Sequence, residues 1–405
     1  MNILFILPYV PSKIRVRPFH MIKGLSERHD VRVIALGEVG KARTPGVEEL
    51  KDLLGDITVI PHSKLRGVCQ SLLALASSSP MCTAYCRSSR MRKAIAQAVA
   101  RQRIDVVHVE HLRAAHFAPF DERIPAILDS VDCLTGLFGQ MAHSKGSPIS
   151  RMVMAEETFK LRRYEPKTMR GFDRVLVTSE FERQALLDLD RSLNVDVVPN
   201  GVDTDYFAPQ GSTRKPARMI FSGKMSYAPN ARAALWFAER VLPAIQTRFR
   251  DSEFVVVGSD PPAEVRKLSE IPGVTVTGYV DDIRPYLDSA SVAVVPIQVA
   301  VGVQNKALEA MAMGLPVVAA PIAARTFGRS CPGIIEAESA EDMAREVSRL
   351  IERPAEAAEI GRQAREEARK RFSWQTSVQK LEEIYEDVVG NRTATAKQAS
   401  ARVQH

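Results

Sequence analysis

The sequence predicts an α/β protein of two doubly wound, Rossmann-like units in tandem, on three observations. Its 405 residues, 45% of them hydrophobic, suffice for two ordinary domains with cores of their own. Short β-rich runs alternate with longer helical patterns, the rhythm of a parallel sheet wound with helices. That rhythm breaks at Pro199-Asn200-Gly201, a strong turn signal near mid-chain, and then starts again.

Residues 2–7 read as the first strand. They lack the basic flank of a signal sequence, and the run stops at Pro8, far short of a membrane span. Further strands are expected over 31–36, 57–61, 106–110, 126–131 and 174–179. The second unit repeats the pattern over 219–223, 254–258, 274–280, 292–297, 317–320 and 333–337. These runs divide the chain into a first domain, 1–196, and a second, 197–372. A helix over 373–390 follows, capped by Ser373, with Trp374, Val378, Leu381, Ile384 and Tyr385 on one apolar stripe that something must cover. Residues 391–405 are polar and without periodicity, and read as a flexible tail. Open α/β sheets bind ligands beyond the carboxyl ends of their strands, so a cleft between the units is the expected site.

Charge is unevenly placed. The net charge is +7, and the first 200 residues hold the whole excess, with 29 Lys and Arg against 22 Asp and Glu. Within residues 1–103 the ratio is 17 to 7, including Lys13, Arg15, Arg17, Lys64, Arg66, Arg87, Arg90, Arg92 and Lys93. Such a field suits an anionic membrane or lipid phosphate, or is simply a solvated basic face. Aromatic residues are sparse there and no nucleic-acid-binding signature is present, so nucleic acid is not the expected partner. Five cysteines, at 69, 82, 86, 133 and 331, fit neither a disulfide framework nor a metal pair, and the cytoplasm is the expected compartment.

The stretch from Gly302 to Pro316, followed by the apolar run at 317–320, reads as phosphate loop, helix, turn and buried strand. Ala307, Leu308, Met311, Ala312 and Leu315 recur at helical spacing, leaving Lys306 and Glu309 together on another face. The N–H groups around Gln304 and Asn305 are then the unpaired donors of a helix N-terminus, which favours a diphosphate. Glu309 near such a site can accept hydrogen bonds from both hydroxyls of a ribose, or be no more than the surface ion-pair mate of Lys306. Gly223 and Lys224 follow a strand, where a lysine either neutralises a departing phosphate or is a solvated rim charge. Tyr279, Val280 and Asp281, after another strand of the same unit, line a base pocket in one reading. In the other, Tyr279 closes the core and Asp281 or Asp282 caps the next helix. No Asp-x-Asp pair stands at a strand end, and the site is expected to work without a metal or a cofactor.

Five segments of the second half resemble the retaining glycosyltransferases of family 4, which have the GT-B fold: VVPNGVDTDYF (197–207), FSGKMSYAPN (221–230), VVVGSDPP (255–262), VTGYVDDIRPYL (276–287) and GVQNKALEAMAMGLPVVA (302–319). Within that family, residues 8–25, 106–110, 127–132, 157–165 and 177–182 resemble sugar transferases associated with exopolysaccharide and exosortase-type loci. The resemblance implies two Rossmann-like domains facing a cleft, with residues 373–388 crossing back onto the first. It implies that Glu309 holds the ribose, Lys224 and Lys306 the diphosphate, and the backbone from Gly302 through Val303, Gln304 and Asn305 the distal phosphate. The implied reaction moves a sugar from a nucleotide-sugar donor to a glycan or lipid-linked acceptor, while the basic first half separately suggests a peripheral place on the inner face of the cell membrane. Three departures stand out. Val301 replaces a glutamate near the transferred sugar, and Pro229 replaces a second cation. Asp129 or Asp132 stands where many relatives have a histidine, either as a ligand-orienting carboxylate or as a helix cap. On the acceptor side Lys13, Arg15 and Arg17 offer cations to a phosphate. His108, Glu110 and His111 form a polar cluster, in which His108 is equally a hydrogen-bonded core histidine. A non-catalytic GT-B module binding nucleotide or an anionic partner, and a GT-B epimerase or phosphorylase, are the competing readings.

Overall fold

A computed structural model describes residues 1–12, 16–38, 47–54, 57–121, 123–143, 147–298, 302–328 and 330–403, with the side chains of 47–49, 143 and 393–403 outside the description. The chain forms two compact units: residues 1–198 together with 377–405, and residues 199–376.

The first unit runs β1 Asn2–Leu7, α1 Val16–Ser26, β2 Asp30–Glu38, α2 Val47–Leu54, β3 Ile57–His62, α3 Lys64–Ala74, α4 Met81–Ala84, α5 Ser89–Arg101, β4 Val106–Glu110, β5 Ala126–Val131, α6 Leu134–His143, α7 Pro148–Met169, β6 Arg174–Val177, α8 Glu180–Leu189 and β7 Val195–Val197. Its seven strands lie in the order β3-β2-β1-β4-β5-β6-β7. Every pairing is parallel. β1 and β4 occupy the middle, and Ile3 to Leu7 and Val106 to Glu110 are buried throughout, as strands covered on both faces must be.

The second unit runs β8 Arg218–Ser222, α9 Ala228–Trp236, α10 Leu242–Arg248, β9 Glu253–Val257, α11 Ala263–Arg266, β10 Val274–Gly278, α12 Arg284–Asp288, β11 Val292–Val295, α13 Asn305–Ala312, β12 Val317–Ala319, α14 Pro321–Ala324, β13 Ile334–Glu336, α15 Ala340–Glu352 and α16 Pro354–Arg371. Its six strands are again all parallel, in the order β10-β9-β8-β11-β12-β13. The order reverses direction at β8, which opens the sheet at its carboxyl edge beside β11.

The last helix, α17 Trp374–Val403, begins as its sequence indicates: the Ser373 hydroxyl accepts the Thr376 N–H at 3.1 Å. Its stripe is covered. Val378, Leu381, Tyr385 and Val388 are buried, Val378 lying against Gly24 of α1. Where the sequence suggests a tail from 391, the backbone of α17 continues as helix to Val403. Its Ala, Gln, Lys and Arg are strong helix formers, and propensity carries the helix where amphipathic periodicity gives out. Among the described residues no helix is long and apolar enough to cross a membrane.

One close approach shapes the second unit. The Gly258 backbone, at φ +154°, lies so near Gly223 that a Cβ on Gly258 would stand 1.7 Å from the Gly223 carbonyl oxygen. Both glycines leave the sheet in step, Gly223 N–H to the Val257 carbonyl at 3.0 Å and Gly258 N–H to the Gly278 carbonyl at 3.1 Å. Gly258→Ala is expected to lower the unfolding temperature, with a cost of about 1–3 kcal/mol or more from overpacking and strain. Gly390→Ala has open space in a helix. It is expected to be neutral or to stabilise by up to about 1 kcal/mol. Thermal unfolding of the two variants checks the opposite signs.

Candidate functional site

The loops after β8, β9, β10 and β11 leave the carboxyl edge of one sheet, and α13 starts beside them. Gly302 turns the chain at φ +67°, and Gln304, in extended conformation, precedes the helix without a side-chain cap. The first N–H groups of α13 thus receive no help from their own N-cap side chain, as an anion site requires. Ala307, Leu308, Ala310, Met311 and Ala312 face the core, so Lys306 and Glu309 fall on the remaining, half-buried face.

Lys306 does not pair with Glu309. Its ammonium donates to Asn230 Oδ1 at 3.0 Å and to Gln304 Oε1 at 3.4 Å, and stands 5.4 Å from the centre of the Phe221 ring. The Asn230 amide in turn donates to the Lys224 carbonyl at 3.0 Å. One asparagine therefore fixes the Lys306 head group against the loop that carries Lys224. Lys224 itself is exposed, 3.6 Å from Asp260. Asn305 Oδ1 accepts from Asn200 Nδ2 at 3.2 Å, which ties the start of α13 to the Pro199-Asn200-Gly201 turn.

Burial moves both charges of α13 towards neutrality. It lowers Lys306 to about 8, against the pull of Glu309, and raises Glu309 to about 7, against the pull of Lys306. Glu309 makes no side-chain hydrogen bond among the described residues, and Lys306 acts on it through charge alone.

At the end of β10, Tyr279 is 73% exposed and does not close the core, whereas Val280 is half-buried against it. Asp282 is the residue that shapes the next turn, accepting the Arg284 N–H at 2.9 Å, and Asp281 is exposed. Pro229, Arg232, Ala233, Pro296 and Gln298 line a small hollow near the same edge. Val301 lies outside the described residues.

The first unit has its own polar cluster at the ends of β4 and β5. Arg17 Nε donates to Asp129 Oδ2 at 2.8 Å and Arg17 Nη1 to the Val198 carbonyl at 2.9 Å. His108 stacks on Phe5, and its Nδ1 shares a hydrogen bond of 2.7 Å with the Tyr385 hydroxyl. His108 Nε2 lies 3.9 Å from Glu110 and 3.8 Å from Asp129, while Glu110 also accepts from Tyr9 at 3.2 Å. Arg17, His108, Glu110 and Asp129 are all buried. Burial raises Glu110 and the Asp129 charge adds to the rise, with His108 and Arg17 opposing it. The ligand atoms of His108, Glu110 and Asp129 lie within 4.8 Å of one another, but the guanidinium on Asp129 already supplies a fixed positive charge. His108 is thus a hydrogen-bonded core histidine, and Arg17 an internal ion-pair partner with little surface for an acceptor phosphate. Lys13 and Arg15 lie outside the described residues.

His111, at φ +68°, accepts the Arg113 N–H on its Nδ1 at 3.3 Å and starts a 3₁₀ turn. Asp132 is half-buried, accepts the Thr178 hydroxyl at 3.3 Å, and is pushed up to about 7 by burial and by the neighbouring Glu182 charge. It caps no helix. That work falls to buried glutamates: Glu165 of α7 accepts the N–H groups of Leu134 and Thr135, both at 2.9 Å, and Glu182 accepts that of Cys133 at 2.7 Å. Asn230 and Glu165 carry these arrangements without having been singled out in the sequence, where Asn200 stood only as a turn residue and Tyr385 only on the apolar stripe. The local signal for Asn230 was its place near the start of a helix, after Lys224.

Two parallel-sheet units of this kind have the GT-B fold, and the family models give the class as glycosyltransferase. Residues 14–201 match the model of the glycosyl transferase 4-like domain, and residues 216–353 that of the glycosyl transferases group 1. The two take in most of the chain, which belongs to the family 4 type of glycosyltransferases. An MMP alpha-(1->4)-mannosyltransferase of Mycolicibacterium hassiacum is 29% identical over 212 residues, 49% of each chain, so the match spans about half the length of that curated relative. Among solved structures, sucrose-phosphate synthase of Thermosynechococcus elongatus aligns with a TM-score of 0.68 at 16% identity, over 96% of this chain and all of the other. HepE of Anabaena, in complex with UDP, aligns with a TM-score of 0.66 at 16% identity and the same coverage. A glycosyltransferase of Rickettsia africae aligns at 0.63 and 15%, over 96% of this chain and 99% of that one.

Glu309 gives a prediction with a definite sign. Its folded pKa of about 7 lies above the ordinary 4.5, so it favours folding below pH 4.5 and loses that contribution as the pH rises through 7. Lys306 is depressed from 10.5 to about 8, and its contribution is lost as the pH falls through 8. Glu309→Gln is expected to gain about 1–3 kcal/mol on the wild type between pH 4.5 and 7. Denaturant unfolding at a series of pH values checks this, and equal slopes for the two proteins would refute the burial of the charge.

Proposed function

We propose that this chain is a retaining glycosyltransferase. It moves a hexose-type sugar from a nucleoside diphosphate-sugar to a glycan or lipid-linked acceptor in polysaccharide or glycoconjugate synthesis. The observation that carries the reading is the start of α13, where a helix N-terminus without a side-chain cap, Lys306 and a Glu309 with no side-chain hydrogen bond among the described residues stand together. The backbone donors and Lys306 hold the diphosphate, Glu309 accepts the ribose hydroxyls, and Tyr279 and Val280 flank the base. Gly223 keeps side-chain atoms away from Lys306, since a Cβ there would lie 3.2 Å from its Cε. The UDP complex of the HepE neighbour supports a nucleotide donor for this architecture.

In the reaction the bond between the anomeric carbon and the diphosphate oxygen breaks, and its electron pair leaves with the diphosphate. The acceptor oxygen bonds to the anomeric carbon from the face the diphosphate leaves, and its proton passes to a phosphate oxygen. Lys224, exposed at the same edge, meets the growing negative charge together with Lys306 and the helix N-terminus. These positive groups fill the part a divalent ion would otherwise play, and the reading requires no cofactor. Asp132, the half-buried carboxylate at the end of β5, is the first unit's candidate for orienting a sugar or acceptor hydroxyl.

Val301, where relatives carry a glutamate, favours the second reading, a non-catalytic module that binds nucleotide. One assay separates the two. Purified protein with a panel of nucleotide sugars and a membrane extract is expected to release nucleoside diphosphate only when acceptor is present. Lys224→Ala is expected to cost on the order of a hundredfold in rate. Glu309→Ala is expected to raise the donor KM about tenfold, the loss of roughly one charge-assisted hydrogen bond. Tight nucleotide binding without turnover would sink the enzyme, and unchanged donor kinetics in both variants would sink the site.

A further inference from the structure

Helix α3 is built inside out. Gly67, Ser71 and Ala74 make its inner face: Gly67 lies so close to Tyr85 that a Cβ there would be 2.7 Å from the ring, Ser71 donates to the Met81 carbonyl at 3.1 Å, and Ala74 is buried. The large apolar residues point to solvent. Leu65 is 75% exposed, Val68 48%, Leu72 60% and Leu75 44%, at the spacing i, i+3, i+7 and i+10 of a single helical stripe. Exposed Lys64 and Arg66 stand on either side of the stripe. A core-facing helix puts its large residues in and its small ones out, and this reversal leaves a contiguous apolar face uncovered.

The surroundings fix what could cover it. From residue 57 to residue 104 there is no Asp or Glu, while Lys64, Arg66, Arg87, Arg90, Arg92, Lys93, Arg101 and Arg103 are all present. Arg87, Arg90, Arg92 and Lys93 are exposed on and beside α5. The end of α3 is fastened to α7, where Lys160 donates to the Ala74 and Leu75 carbonyls at 2.8 and 3.2 Å, and α7 exposes Ile149 and Met152 to 72% and 67%. A leucine stripe edged by cations in a long acid-free segment matches the acyl and headgroup layers of an anionic lipid surface, and the carboxylate that reaches it, Glu38 of β2, is already taken up by Lys64 at 3.1 Å.

We infer that α3, with the cations of α5, is a docking surface by which the first unit lies on an anionic bilayer. Leucines 65 and 72 enter the acyl boundary while Lys64, Arg66 and the α5 cations meet lipid phosphates. This goes beyond the donor-site reading and is independent of it, since Glu309→Ala leaves the surface intact.

The test uses the full chain with phosphatidylcholine vesicles, with and without phosphatidylglycerol, in a sedimentation assay. The wild type is expected to bind the phosphatidylglycerol vesicles and not those of phosphatidylcholine alone. The double variant Leu65→Gln, Leu72→Gln is expected to bind at least tenfold more weakly while its thermal unfolding stays unchanged. Charge reversal at Arg87, Arg90 and Arg92 is expected to weaken binding as well, and more at low salt than at high. Equal binding by the leucine variant, or no binding by the wild type, would overturn the inference. So would a dimer in sedimentation velocity that the leucine variant dissolves, since the stripe would then join two copies of this chain.

Discussion

A helix that begins against a sheet edge leaves N–H groups that something must satisfy, and this chain answers that obligation differently at different places. In the first unit buried glutamates do it. Glu157 takes the N–H groups of Met81 and Cys82, and Glu165 those of Leu134 and Thr135, so that α7 holds the starts of α4 and α6 with two carboxylates eight residues apart on one face. In the second unit α13 begins without a side-chain cap, beside a lysine rather than a glutamate. Positive potential is cancelled in the one case and left standing in the other, and the donor-side reading depends on that difference.

Much of the architecture was legible because strand rhythm and helical spacing are local. Each expected β-rich run overlaps a strand, and the face shared by Lys306 and Glu309 follows from 3.6 residues per turn alone. What escaped the sequence joins distant positions. Asn230 reaches Lys306 across 76 residues, and Tyr385 reaches His108 across 277, through side chains whose types are common everywhere. The buried cluster shows the same limit from the other side. Arg17, His108, Glu110 and Asp129 look like site residues when read singly, and only their packing reveals that they satisfy one another. Position 391 onward failed for a different reason: a helix without an apolar stripe gives no periodic signal, yet good helix formers prolong it.

The two halves of the expected chemistry therefore stand on unequal ground. The half expected to hold the nucleotide has geometry: a turn at Gly302, an oriented lysine, a carboxylate with no side-chain hydrogen bond among the described residues, and paired glycines that keep the approach open. The acceptor half rests on Asp132 and on cations near the first strand, of which Arg17 is taken up internally.

The central claim is that the start of α13 holds a diphosphate. Calorimetric titration with uridine, adenosine, guanosine and thymidine diphosphates, each beside its parent nucleoside, tests it most directly in the wild type and in Lys306→Met. At least one diphosphate should bind the wild type more than about tenfold tighter than its nucleoside, with most of that advantage gone in the variant. An advantage that survives Lys306→Met undiminished, or none in the wild type, would contradict the account.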